Sequence, residues 1–122
     1  MSREWTLFFQ DIIDCCAKIL NFTSGMSREQ FEADALHYDA TVWNVSLVGE
    51  AAKNIPAEIQ KQFPEIPWRE LIGMRNKLSH GYFGIDNDVL WNVIQDEIPK
   101  LIQAMQRIQR ECPHLFQGNS PS

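Results

Sequence analysis

An all-α fold, an antiparallel bundle of four or five helices, is what this sequence predicts, and three observations lead there. Apolar residues recur at three- and four-residue steps over long stretches near both ends of the chain. No segment alternates apolar and polar residues with period two over a useful length. Most Pro and Gly residues fall between the periodic stretches, which leaves short loops and antiparallel neighbours. A chain of 122 residues makes one domain, large enough to bury about two thirds of its unfolded surface. The domain is expected over residues 1–111, with a flexible tail over 112–122.

The first helix is expected from about Arg3 to Asn21, where Trp5, Phe8, Phe9, Ile12, Ile13, Cys16, Ile19 and Leu20 share one face. So wide an aromatic stripe suits a core, and an interface as well. A turn over Asn21 to Gly25 follows, and Ser27-Arg28-Glu29-Gln30 has capping-box spacing for a second helix. Phe31, Ala35, Tyr38, Val42, Val45, Gly49 and Ala52 carry that helix to about Asn54, with a bend near His37 to Asp39. Gly in mid-helix costs about 1 kcal/mol against Ala, so Gly49 predicts a close helix crossing.

Pro56 opens a short helix that Pro64 ends, and Pro67 opens another that runs from Trp68 to Ser79 on Leu71, Met74 and Leu78. Arg75 lies on the flank of that stripe, with Asn76 and Lys77 facing away. Gly81 and Gly84 read as a C-terminal cap and a loop, and Asp86 or Asn87 caps the last helix. Val89, Leu90, Val93, Ile94, Ile98, Leu101, Ile102, Met105 and Ile108 extend it to about Arg110, with a kink at Pro99.

Composition excludes several classes. Three cysteines, two of them adjacent, give neither a disulfide framework nor zinc-ligand spacing, which implies a reducing cytoplasm. There is no signal-peptide core and no apolar run of membrane length. The net charge of −5, doubled in a dimer, repels nucleic acid from the surface as a whole. Any RNA must therefore meet a local basic cleft, for which Arg75, Lys77, Arg69 and Lys53 are the candidates.

The densest polar chemistry lies in Arg75-Asn76-Lys77-Leu78-Ser79-His80-Gly81-Tyr82. Arg75 offers a permanently charged fork that matches a pair of phosphate oxygens. His80, with an ordinary pKa of about 6.5, can exchange a proton near neutrality. Asn76 and Ser79 can donate hydrogen bonds, and Lys77 adds a point charge. No metal-ligand cluster accompanies them, so neither metal nor cofactor is expected. On an ideal helix Arg75 and His80 would stand about 140° apart. Either the helix ends near Gly81 and turns His80 inward, or a second copy of the motif completes the site.

The spacing Arg75, four residues, His80, one residue, Tyr82 resembles the signature of the HEPN ribonucleases, in the form found in HepT toxins. The resemblance runs from about Phe31 to Ile108 through Leu36-His37-Tyr38-Asp39-Ala40, Gly49-Glu50-Ala51-Ala52-Lys53, Pro64-Glu65-Ile66-Pro67-Trp68 and Tyr82-Phe83-Gly84-Ile85-Asp86. The chain departs from family habit at Ser79, where a bulky aliphatic is usual, and at Val42-Trp43, where an Arg often precedes the Asn that matches Asn44.

The resemblance implies a HEPN-like bundle, a homodimer that can build a larger complex with its antitoxin, and the toxin half of a type VII-like toxin–antitoxin pair. The motif suits metal-independent cleavage of messenger or transfer RNA by its own 2′-hydroxyl, leaving a 2′,3′-cyclic phosphate and a 5′-hydroxyl. His80 would act as general base or acid, Arg75 would stabilise charge on phosphorus, and Asn76 or Ser79 would hold a phosphate oxygen. Glu50 would orient Arg75 or close the dimer interface. By the same resemblance, Tyr82 is the acceptor for adenylylation by a minimal nucleotidyltransferase antitoxin, which adds charge and bulk beside the cleft. The alternative is a non-catalytic helical dimer that binds a nucleotide or a nucleotidyltransferase partner, a reading the acidic balance favours. A purely structural reading of the motif is a helix end, in which Arg75 would pair with Glu50 or Glu70 and His80 would satisfy the last carbonyls.

Overall fold

The computed structural model describes residues 4–79 and 84–117. Helix α1 spans Trp5–Thr23 and packs along α3, Ala35–Lys53, and against α8, Ile98–Glu111. Short α2, Arg28–Ala33, leads into α3, and α4 covers Ala57–Gln62. Helices α5, Trp68–Ile72, and α6, Met74–Leu78, lie against α3. Helix α7, Asn87–Asn92, runs through a π-turn at Val93–Glu97 into α8, and α9 covers Pro113–Gln117. The described residues thus form the all-α bundle that the periodicity predicts. None of their helices is long and apolar enough to cross a membrane.

The α1 stripe is core: Phe9, Ile12, Cys16 and Ile19 are fully buried among Val45, Val48, Met74, Ile98 and Met105. Burying each such side chain contributes about 1.5–3 kcal/mol. Ser27 forms the expected capping box, with its Oγ accepting from the Gln30 N–H at 3.1 Å and its own N–H donating to Gln30 Oε1 at 2.9 Å. The bend falls at Asp34, three residues before the earliest position expected, because Asp34 leaves the helical region (φ −101°, ψ 92°) and caps α3 itself. Its Oδ1 accepts from the His37 N–H at 3.1 Å, and Oδ2 lies 2.8 Å from His37 Nδ1.

Those contacts hold the Asp34 carboxyl below its ordinary range, the adjacent His37 ring being the larger cause and the His37 backbone N–H the next. A depressed folded-state value means that the stabilisation is complete above the unfolded value of about 3.9 and is lost as the pH falls through the folded one. Asp34→Asn keeps an oxygen acceptor at the cap but cannot titrate. Between about pH 5 and pH 3 the wild type should lose more melting temperature than this variant, measured by circular dichroism. Equal losses would show that Asp34 does not carry the acid sensitivity.

Gly49 sits where α3 meets α5: a Cβ there would lie 2.7 Å from the Leu71 carbonyl oxygen. The crossing that mid-helix glycine predicted is therefore real, and it draws the segment carrying Arg75 onto α3. The start of α5 is pinned by Trp68, whose Nε1–H donates to the Phe63 carbonyl at 3.0 Å. The single helix expected from Trp68 to Ser79 is two, divided at Gly73.

The expected disturbance at Pro99 takes the form of the π-turn just before it. A ring at this position would strike the carbonyl four residues back in a regular helix, and the wide turn removes that clash. Pro99 then stands in the first turn of α8.

Within the stretch expected as a tail from Cys112, residues 113–117 form the short helix α9. Phe116 packs edge-on against Phe9 at 4.9 Å and Trp5 at 5.5 Å, so α9 belongs to the bundle. Residues 118–122 lie outside the described residues.

Candidate active site

The polar motif begins on α6 and leaves it early. Arg75 and Asn76 are exposed on that helix, while Met74 and Leu78 anchor its other face in the core. The helix ends at Leu78, since Ser79 turns to φ −69°, ψ 138°. Ser79 Oγ donates to the Arg75 carbonyl at 3.1 Å, which caps α6 and spends that hydroxyl proton on the backbone.

The described residues on either side of positions 80–83 are anchored. Ser79 pairs with Ile85 in an isolated antiparallel bridge, and the Asp86 N–H donates to the Leu78 carbonyl at 2.7 Å. Asp86 caps α7 as expected, accepting from the Asp88 and Val89 N–H groups at 3.1 and 3.2 Å. The Tyr38 hydroxyl donates to Asn87 Oδ1, and Arg28 pairs with Asp88, so α2 and α3 hold the far flank. His80, Gly81, Tyr82 and Phe83 lie outside the described residues, and with them the roles expected of His80 and Tyr82 and the cap expected at Gly81.

Arg75 borders an open groove of about 370 Å³ between α3 and the α5–α6 segment. Asn76 and Ile72 line it from one side, and Trp43, Glu50 and Lys53 from α3. Asn76 thus joins Arg75 at the groove, where the helical phase had turned it away. Among the described residues Arg75 has no ion-pair partner, and neither Glu50 nor Glu70 holds it. Glu50 shares the groove without that contact. The plain reading of Arg75 as half of a structural ion pair has no support here.

Lys77 behaves differently. Its Nζ is 2.7 Å from Glu97 Oε2, which ties α6 to the π-turn and neutralises the cation. Arg69 does not border the groove either, so Arg75 and Lys53 are the two of the four expected cations that do. Against the single Glu50 carboxylate they leave the groove cationic on a chain of net charge −5. The adjoining groove over α1 has the opposite balance, with Asp11, Asp14 and Glu50 against Lys18. A phosphate is drawn to the first and repelled by the second.

Other chemistries find little footing. No group of three or more His, Cys, Asp or Glu among the described residues is placed to hold a metal ion. Burial raises the Cys15 thiol, and burial, then the neighbouring Cys15, pushes Cys16 up to about 12. Neither is a thiolate nucleophile at neutral pH.

Trp43 is the groove residue that motif reasoning missed, having noted it only as a departure from family habit. It is 65% exposed. The legible signal was phase: Trp43 stands one residue off the apolar stripe of Tyr38, Val42, Val45, Gly49 and Ala52.

Comparison with known proteins bears on this site. A family model described as "Ribonuclease HepT-like" matches residues 12–108. A Thermococcus cleftensis protein named "Probable ribonuclease HepT" is 36% identical over 110 residues, covering 90% of this chain and all of the relative. A Methanocaldococcus jannaschii protein, named only as a candidate RNase, is 37% identical over 110 residues, 90% of this chain and 91% of that one. A similarly named protein of Caldanaerobacter subterraneus is 35% identical over 101 residues, 83% and 90% of the two chains. No solved structure gives a significant match.

Proposed function

Since this chain belongs to the HepT-like ribonuclease family, we propose that it is an endoribonuclease that cuts RNA without a metal by attack of the 2′-hydroxyl on the adjacent phosphate. The observation that carries the proposal is Arg75, a permanently charged guanidinium at a cationic groove with no ion-pair partner among the described residues. Its five donors are free to meet phosphate oxygens and to hold them more tightly as charge builds on phosphorus. Asn76 supplies an amide at the same groove, while Glu50 and Lys53 set its electrostatic balance. Lys77 and Ser79 act through the fold, one clamping α6 to Glu97 and the other capping it. His80 moves the proton, as base toward the 2′-hydroxyl or as acid toward the leaving 5′-oxygen.

In this reading the protein is the toxin of a two-component pair, acts as a homodimer, and is silenced when a nucleotidyltransferase partner attaches AMP to Tyr82. The added phosphate would repel RNA from the groove.

The test is incubation of total cellular RNA with purified protein and EDTA, beside His80→Ala, with the fragment ends identified. Cyclic-phosphate ends produced by wild type alone support the reading. Intact RNA in every tube, with Tyr82 unmodified by mass spectrometry, would reject it in favour of a non-catalytic binding module, for which the net charge of −5 is the supporting observation.

A further inference from the structure

We propose that Trp43 is a base-stacking platform: its indole face receives a nucleobase of single-stranded RNA whose phosphate lies at Arg75. The proposal deepens the ribonuclease reading and rests on it. Trp43 exposes 65% of its surface although the bundle readily buries a tryptophan, as Trp68 at 7% shows. Its exposure follows from its place on α3, one residue off the buried stripe and on the same face as Glu50, seven residues on. From Trp43 to the Gly49 crossing is six residues, about 9 Å of helix rise. Ring and guanidinium line one groove from two different helices, the ring from α3 and the guanidinium from α6.

The groove joins two kinds of surface. Trp43, Leu47 and Ile72 are apolar, while Arg75, Lys53 and Asn76 offer two cations and an amide donor. A ligand that satisfies both must present a flat π-face and an anion a short distance apart, which is the chemistry of a nucleotide within a strand. A second copy of the chain fits less well. Pairing this face with itself, with no anion between the copies, would set two Arg75 and two Lys53 groups against one another, a like-charge contact that disfavours a closed seam. RNA brings the negative charge that the seam lacks. Because every base has a π-face, the platform favours single-stranded over paired RNA and tolerates sequence.

The experiment uses the full chain and 12-nucleotide single strands, one for each base, 2′-O-methylated so that no cut is possible, together with a 12-unit abasic ribose-phosphate strand. Wild type, Trp43→Ala and Trp43→Phe are compared by fluorescence anisotropy and by quenching of tryptophan emission. Trp43→Ala should weaken binding of the base-bearing strands about 5- to 150-fold, the range for one base–aromatic stack. Trp43→Phe should retain most of the affinity, and the abasic strand should bind wild type and Trp43→Ala alike. Equal affinity of Trp43→Ala and wild type for base-bearing strands overturns the proposal, as does failure of wild type to bind any strand.

Sedimentation of both proteins covers the competing occupant. If Trp43→Ala turns a dimer into a monomer and weakens base-bearing and abasic strands equally, a second copy covers the ring and the proposal fails. On cleavable RNA, Trp43→Ala should raise KM more than it lowers kcat. If wild type cuts no RNA at all, the ribonuclease reading falls, and the methylated strands still decide the stacking site.

Discussion

Arg75→Ala should lower the rate of RNA cleavage by a factor of about 10²–10³, the usual effect of removing one pre-placed donor to a developing oxyanion. Its stability should stay within about 0.5 kcal/mol of wild type, as for other exposed positions with no structural contact. The two expectations share one cause. The side chain is exposed at the groove and pairs with nothing among the described residues, so the fold does not lean on it. Arg75→Lys keeps the charge but loses the planar fork, and should recover only part of the rate. Single-turnover cleavage of a short RNA, read beside thermal unfolding of each variant, separates chemistry from folding. A large fall in melting temperature for Arg75→Ala with little loss of rate would return this residue to a structural role.

Gly49→Ala should destabilise the protein by about 1–3 kcal/mol, against the gain of about 1 kcal/mol that Ala normally brings to a helix interior. The new Cβ would stand 2.7 Å from the Leu71 carbonyl oxygen. That atom is backbone and cannot rotate aside, so α5 must move off α3. A fall of several degrees in melting temperature is the direct readout. Because α5 leads through Gly73 into α6, the same displacement carries Arg75 away from the α3 side of the groove, and cleavage should fall with stability. Gly25→Ala is the control. Gly25 has φ +74° with open space around it, so the change costs backbone strain of about 1 kcal/mol and no crossing. A Gly49→Ala protein as stable as wild type would mean that the crossing is loose.

Much of this architecture was legible before any coordinates. The α1 stripe, the Ser27 capping box and the Asp86 cap follow from local rules, since each depends on residues within a turn or two of one another; a mid-helix glycine at 49 signals a crossing, but its partner, Leu71, comes from a different helix. The break at Asp34 was not legible in the same way, because the apolar spacing runs through it from Phe31 to Val42 and only the cap geometry stops it. Nor was α9: Phe116 is an ordinary residue in a polar stretch until it meets Phe9 and Trp5 from the other end of the chain.

The candidate site divides along the same line. That Arg75, Asn76, Lys77, Ser79 and His80 form one polar segment is a matter of sequence, and so is the resemblance it carries. Which of the described members remain available to a ligand is not. Lys77 is neutralised by Glu97 twenty residues later, Ser79 turns its proton onto the backbone, and Arg75 stays unclaimed beside a tryptophan from another helix. By itself, the sequence determined the helical class, the caps and the chemistry on offer, because these arise from neighbours along the chain. The tertiary structure alone decided which charges are spent and where the groove opens, because a side chain's partners come from segments that only packing brings together.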